Sequence, residues 1–162
     1  MSTGALTVRP SDFTMTRRSD TDQNRAYWEH FEHDADIGVR GVGDSLEAAF
    51  EQAALALTAV VCEPSEIAQA EAIDVRCRAS NREALFVEWL NILVLEMAAR
   101  SMLFAKFKVT IRGNQLAATL FGEAVDRDRH QPVVEVKGAT YTALKVQQDN
   151  QGRWLAQCIV DV

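Results

Sequence analysis

The chain has 162 residues, 48% of them hydrophobic, which fits one globular domain with a genuine core plus a tail. Its formal charge is −6 and its isoelectric point about 5.1. An acidic surface meets Coulomb repulsion at a phosphate backbone, where nucleic-acid binders gain from counterion release, so unassisted RNA binding is disfavoured and any RNA is expected to reach the chain only through a more basic partner.

Cys62, Cys77 and Cys158 are isolated, odd in number and form no C-x-x-C pair. That usage fits buried thiols in a reducing compartment rather than a disulfide frame or a zinc knuckle. No N-terminal stretch has the apolar core of a secretory signal, and the most apolar stretch, residues 90–99, carries Glu96 and is too short to span a bilayer. These features point to a monomeric cytoplasmic protein with no membrane contact.

Residues 1–25 are polar and aperiodic and read as a flexible N-terminal tail; residues 26–162 form the domain. Aromatic and polar residues interleave over 27–32, which predicts a strand, and 37–42 reads as a second strand closed by Gly43. Asp44-Ser45-Leu46-Glu47 has the pattern of a capping box. The helix behind it places Leu46, Phe50, Ala53, Leu57 and Val60/Val61 on one stripe and stops at Pro64. Ile73, Val75 and Cys77 alternate with Asp74, Arg76 and Arg78, a half-buried strand. Ser80 to Glu83 repeats the capping pattern, and the helix over 82–99 is apolar on most sides, which predicts a helix sandwiched in the core.

Alternation returns at Phe107, Val109 and Ile111; Gly113-Asn114 signals a hairpin, and Leu116, Ala118 and Leu120 mark its return strand. A polar loop over 126–132 leads to a long extended segment, 133–146, then a turn at Asn150-Gln151-Gly152 and a last strand over 154–160. The fold class is α+β: antiparallel sheet packed on two helices, one of them central and buried.

Three constellations could carry chemistry. Residues 29–36 contain six potential metal ligands or proton carriers in eight positions, Glu29, His30, Glu32, His33, Asp34 and Asp36. In a strand His30 and His33 point to opposite faces, so both cannot serve one ion without a bulge. The oxygen-rich set suits Ca²⁺, Mg²⁺ or Mn²⁺; the plain alternative is a solvated acidic strand end. At the other end, Asp161 and the Val162 α-carboxylate follow an apolar strand, and with an aspartate from the first loop they would make a hard-cation site; here the alternative is a frayed end. Lys137, Thr140 and Tyr141, beside the loop that holds His130, present a charge and two hydroxyls, with Lys137 and Tyr141 on one face of an extended strand and Thr140 on the other. On the residues alone, an ordinary strand with a solvated lysine is the better account of them. Phosphate loops, dinucleotide fingerprints, nucleophile elbows and H-E-x-x-H are all absent from the sequence, which argues for a binding or activating role.

Several motifs in order carry a family resemblance. They are Trp28-Glu29-His30-Phe31-Glu32-His33-Asp34-Ala35-Asp36-Ile37-Gly38-Val39-Arg40-Gly41, Ser45-Leu46-Glu47-Ala48-Ala49-Phe50, Leu85-Phe86-Val87-Glu88-Trp89-Leu90-Asn91, Gly122-Glu123, Arg129-His130, Val136-Lys137 through Thr140-Tyr141, and Val160-Asp161-Val162. Over residues 27–162 the sequence resembles the archease family. The resemblance implies an accessory protein, not an enzyme, that activates an RtcB-type RNA ligase in tRNA splicing and RNA repair, promoting its guanylylation and multiple turnover. It implies a divalent cation, Ca²⁺ foremost and Mg²⁺ or Mn²⁺ also admissible, on Asp36, Asp161 and the Val162 carboxylate, and an activation surface of Lys137, Thr140, Tyr141 and His130. Two departures bear on that surface: Asp34 stands where the family usually has a small hydroxylic residue, and Thr142 stands where it usually has histidine. The rival readings are a stand-alone chaperone or protein modulator, and a metal-dependent phosphoesterase using Asp36 and Asp161.

Overall fold

A computed structural model describes residues 25–162, so the tail expected over 1–25 lies almost wholly outside the described residues. The elements run β1 (Tyr27–His33), β2 (Asp36–Gly43), α1 (Leu46–Val61), a 3-10 turn (Pro64–Glu66), β3 (Glu71–Arg78), α2 (Arg82–Arg100), β4 (Met102–Arg112), β5 (Gln115–Ala124), α3 (Arg127–His130), β6 (Gly138–Ala139), β7 (Lys145–Gln148) and β8 (Trp154–Asp161). They form two antiparallel sheets, one of five strands in the order β1-β2-β8-β6 with β7 also on β8, the other of three in the order β3-β5-β4. The α+β class expected from the sequence is what the structure has.

Helix α1 is the central one. Its stripe from Ala49 to Val61 includes nine buried residues, and it presses so closely on β2 that a Cβ on Gly41 would lie 2.1 Å from the Ala49 carbonyl oxygen. Its other side meets β4, where the Thr58 hydroxyl donates to the Phe104 carbonyl at 2.7 Å. Glu51 accepts from the backbone N–H of Val109 at 2.9 Å, and Glu47 approaches that of Ile111 at 3.4 Å. These carboxylates cover donors on the free edge of β4, which would otherwise template pairing with another chain. Burial pushes the Glu51 carboxyl above its ordinary range despite the Val109 hydrogen bond.

Helix α2, expected to be the sandwiched one, meets both sheets, through β3, β4 and β5 of one and β6 and β7 of the other, and leaves one side open to solvent. Leu85, Phe86, Val87, Trp89, Leu90 and Leu93 are buried, but Leu95 is 61% exposed. The inner face is anchored by Trp89, whose indole N–H donates to the Phe50 carbonyl at 3.0 Å and whose ring meets Phe107 edge-on at 6.0 Å.

Both expected capping boxes shift by one residue. Ser45, not Asp44, caps α1 by accepting from Ala48 N–H, and Asn81, not Ser80, caps α2 by accepting from Ala84 N–H. In each case the glutamate sits one place too early to reach back, which is why Glu47 is free to turn toward β4. The Gly113-Asn114 hairpin forms as expected, with Arg112 opposite Gln115 and Gly113 at φ +60°.

The extended segment expected over 133–146 is broken. Only Gly138–Ala139 and Lys145–Gln148 pair with β8, and between them the chain turns with Ala143 at φ +55°. Two interactions support the break: Thr142 N–H reaches back to the Thr140 hydroxyl at 3.2 Å, and Gln157 Nε2 donates to the Ala143 carbonyl at 3.0 Å.

Candidate metal and activation site

Strand register brings the first loop and the last strand together. Ile37 pairs with Val160 across β2 and β8, and continuing that register by one residue sets Asp36 opposite Asp161. His33 pairs with Asp36 on one side and Gly138 with Asp161 on the other, so one row across the end of the sheet reads His33, Asp36, Asp161, Gly138. Residues in register on neighbouring strands share a face and sit about 5 Å apart at Cα. The face is the outer one, because the alternate positions, His30, Val39 and Cys158, turn toward α1.

The two histidines therefore separate as expected. His30 turns inward, half-buried against α1: its Nε2 bonds the Ala56 carbonyl at 2.8 Å, and desolvation holds its pKa below the ordinary value against the opposing effect of that bond. His33, one of the six potential ligands in the first motif, remains 42% exposed in the same row as Asp36. Asp34 lies at the β1–β2 turn with φ +55° and its side chain 92% exposed. The left-handed conformation, which aspartate tolerates better than most residues, accounts for a short polar side chain at that position.

Lys137 joins the site through the backbone: its N–H donates to the Asp161 carbonyl at 2.7 Å. From α2, Asn91 Oδ1 accepts from Ala139 N–H at 2.8 Å and lies 3.2 Å from where a Cβ on Gly138 would be. Asn91 thus pins the two-residue strand that directly follows Lys137, and its place in the α2 motif gains a structural meaning that the sequence alone did not give. Thr140 is spent on the turn, its hydroxyl donating to the Ile159 carbonyl at 2.9 Å. Tyr141 is 64% exposed. Because the chain turns here, the alternation expected for residues 137, 140 and 141 in one extended strand does not apply.

His130 is placed differently from the expectation. Its side chain is fully buried; Nδ1 accepts from Asp126 N–H at 2.9 Å and Nε2 bonds Glu123 at 2.9 Å. Glu123 also accepts from Arg129 and from Ala68 N–H, each at 2.8 Å, and these partners, Arg129 foremost, hold its carboxyl down at about 2. The paired motifs Gly122-Glu123 and Arg129-His130 are one ion cluster that staples α3 to β5, and the His130 ring offers no surface to a partner.

The donor chemistry fits a hard cation. Asp36 and Asp161 are both exposed carboxylates at one sheet corner. Thiolate ligation has no support: burial pushes Cys158 up to about 12 and Cys77 to about 11, and all three cysteines are free. Among the described residues no three His, Cys, Asp or Glu side chains are grouped as ligands, so a cation at Asp36 and Asp161 needs a further donor, the place the resemblance gives to the Val162 carboxylate.

Fold and site together define a small two-sheet α+β domain with a paired-aspartate sheet end. Residues 28–162 match the model of the Archease protein family (MTH1598/TM1083). The chain is 38% identical over 139 residues to protein archease of Pyrococcus abyssi and 34% identical over 137 residues to that of Sulfolobus acidocaldarius, in each case covering 83% of this chain and 98% of the relative. The solution structure of Methanobacterium thermoautotrophicum protein 1598 superposes with a TM-score of 0.68 at 28% identity, covering 85% of this chain and 98% of that one. The chain belongs to the archease family. Among the described residues no helix is long and apolar enough to cross a membrane.

Proposed function

We propose that the chain is an accessory activator of an RtcB-type RNA ligase, acting in tRNA splicing and RNA repair by promoting guanylylation of the ligase and its multiple turnover. Asp36, Asp161 and the Val162 carboxylate would hold a divalent cation, Ca²⁺ foremost with Mg²⁺ or Mn²⁺ as alternatives. The observation that carries the reading is the hydrogen bond from Lys137 N–H to the Asp161 carbonyl, which ties the lysine segment to the aspartate row.

A bound cation would neutralise the facing carboxylates and order the chain end beside Lys137. The chain's own groups do the rest. Asn91 fixes the backbone of Ala139, the Thr140 and Gln157 hydrogen bonds fix the turn after it, and Tyr141 stands out from that turn. Lys137 is exposed beside them and serves as a point charge toward a phosphate at the partner's nucleotide site. A charge positioned in a water-poor site is worth a few kcal/mol, on the order of a hundredfold in rate. The test is guanylylation of the cognate ligase with and without this chain: acceleration supports the reading, and none removes it.

A further inference from the structure

The outer face of the three-stranded sheet runs against the charge of the whole chain. Register puts Arg78, Gln115 and Arg112 in one row, and Arg76, Ala117 and Thr110 in the next. The following rows add Lys108 and Lys106, so these four rows carry five cations against a single carboxylate, Asp74, which accepts from the Thr119 hydroxyl at 2.8 Å, while Glu123, next along β5 on this face, is paired with Arg129. The first two rows line an open cavity of about 450 Å³. Arg76, Arg78 and Arg112 are exposed and form no ion pair with a carboxylate among the described residues. In a chain of net charge −6, three unpaired arginines on one face are a segregated charge, not an average surface.

We infer that this face is a weak, sequence-independent site for the phosphate backbone of an RNA strand. Two features favour RNA over an acidic protein. Protein interfaces are built round an apolar core, and this face has none: its large apolar side chain, Phe121, is half-buried under the Lys106 ammonium at 5.3 Å. Interfaces with nucleic acid are instead polar and strongly positive. Arginine matches phosphate bidentately, and Thr110 and Gln115 supply hydrogen-bonding groups between the guanidiniums. Successive rows are about 7 Å apart and the outer strands about 10 Å apart, so the three guanidiniums reach separate phosphates rather than one. The net charge of the chain keeps the affinity low, in keeping with RNA already held on a partner. Naming RNA as the source of phosphate rests on the ligase-activator reading, but the test uses no ligase, so the two fail separately.

The probe is a fluorescently labelled single-stranded RNA 20-mer titrated with the full chain, read by anisotropy across a salt series. Three phosphate contacts on a single strand give a log–log salt slope of about −2, roughly a 20-fold loss of affinity between about 50 and 200 mM salt. Arg76→Gln/Arg78→Gln/Arg112→Gln should fold with an unchanged melting temperature and flatten that slope by about 2. Equal binding by the triple variant and the parent, a salt-independent signal, or tighter capture of poly-glutamate than of RNA would each overturn the inference.

Discussion

Lys137 and Asp161 share a backbone hydrogen bond of 2.7 Å, so the lysine proposed to act on the partner and the aspartate proposed to hold the cation move as one unit. Asp36, placed opposite Asp161 by the β2–β8 register, completes the unit from a segment 125 positions earlier in the chain.

The cation assignment predicts that Asp36→Asn and Asp161→Asn each weaken Ca²⁺ binding at least tenfold, about 1.4 kcal/mol, by titration calorimetry. Both residues are exposed, so melting of the cation-free variants should match the parent. Parental affinity in both variants would discard the site.

Close packing of α1 on β2 gives a second expectation. A methyl at Gly41 meets the Ala49 carbonyl oxygen at 2.1 Å and the Ala53 nitrogen at 2.3 Å, both helix backbone that cannot give way. Gly41→Ala should cost about 3 kcal/mol or more in urea unfolding. Gly113→Ala meets nothing within 4 Å and should cost only the left-handed backbone term, about 1–2 kcal/mol. A smaller loss at Gly41 than at Gly113 would contradict the packing described.

These contrasts show what the sequence could and could not reveal. Alternation and the Gly113-Asn114 pair located the β4–β5 hairpin because the signals are local. The break at Ala143 was illegible, since it depends on Gln157, fourteen residues away, donating to that carbonyl. His130 read as a surface loop residue because nothing nearby announces its burial; Glu123 lies on the preceding strand, and only the fold of α3 back onto β5 joins them. The aspartate pair was legible from the resemblance, but the His33 and Asn91 positions beside it required the register and the packing of α2.

Stability should depend on pH in two windows. His30 has a folded pKa below 6.5, so the unfolded chain takes up its proton first, and stability falls as pH drops from 6.5 toward the folded value, by at most about 1.4 kcal/mol per pH unit. His30→Gln should flatten that window in urea titrations between pH 7 and 5. An unchanged slope would mean that His30 titrates alike in the folded and unfolded chain.

Glu123 governs the more acidic window. Its carboxyl is held at about 2, below the ordinary 4.5, so its contribution is fully present above pH 4.5 and is lost as pH falls through 2. Glu123→Gln should lower the melting temperature at pH 7 by a few degrees and weaken the acid dependence below pH 4.5. A variant that melts like the parent at both pH values would show that the Arg129 and His130 contacts are not structural.

The central claim is that Lys137, held beside the aspartate row, is what the partner ligase feels. The most direct measurement is single-turnover guanylylation of the cognate RtcB-type ligase by GTP, with the parent chain or with Lys137→Ala. The account predicts that Lys137→Ala folds, binds Ca²⁺ with parental affinity and loses most of the acceleration, on the order of a hundredfold if the full electrostatic effect is expressed. Parental acceleration by Lys137→Ala would contradict it and move the activating surface away from the Lys137–Asp161 unit.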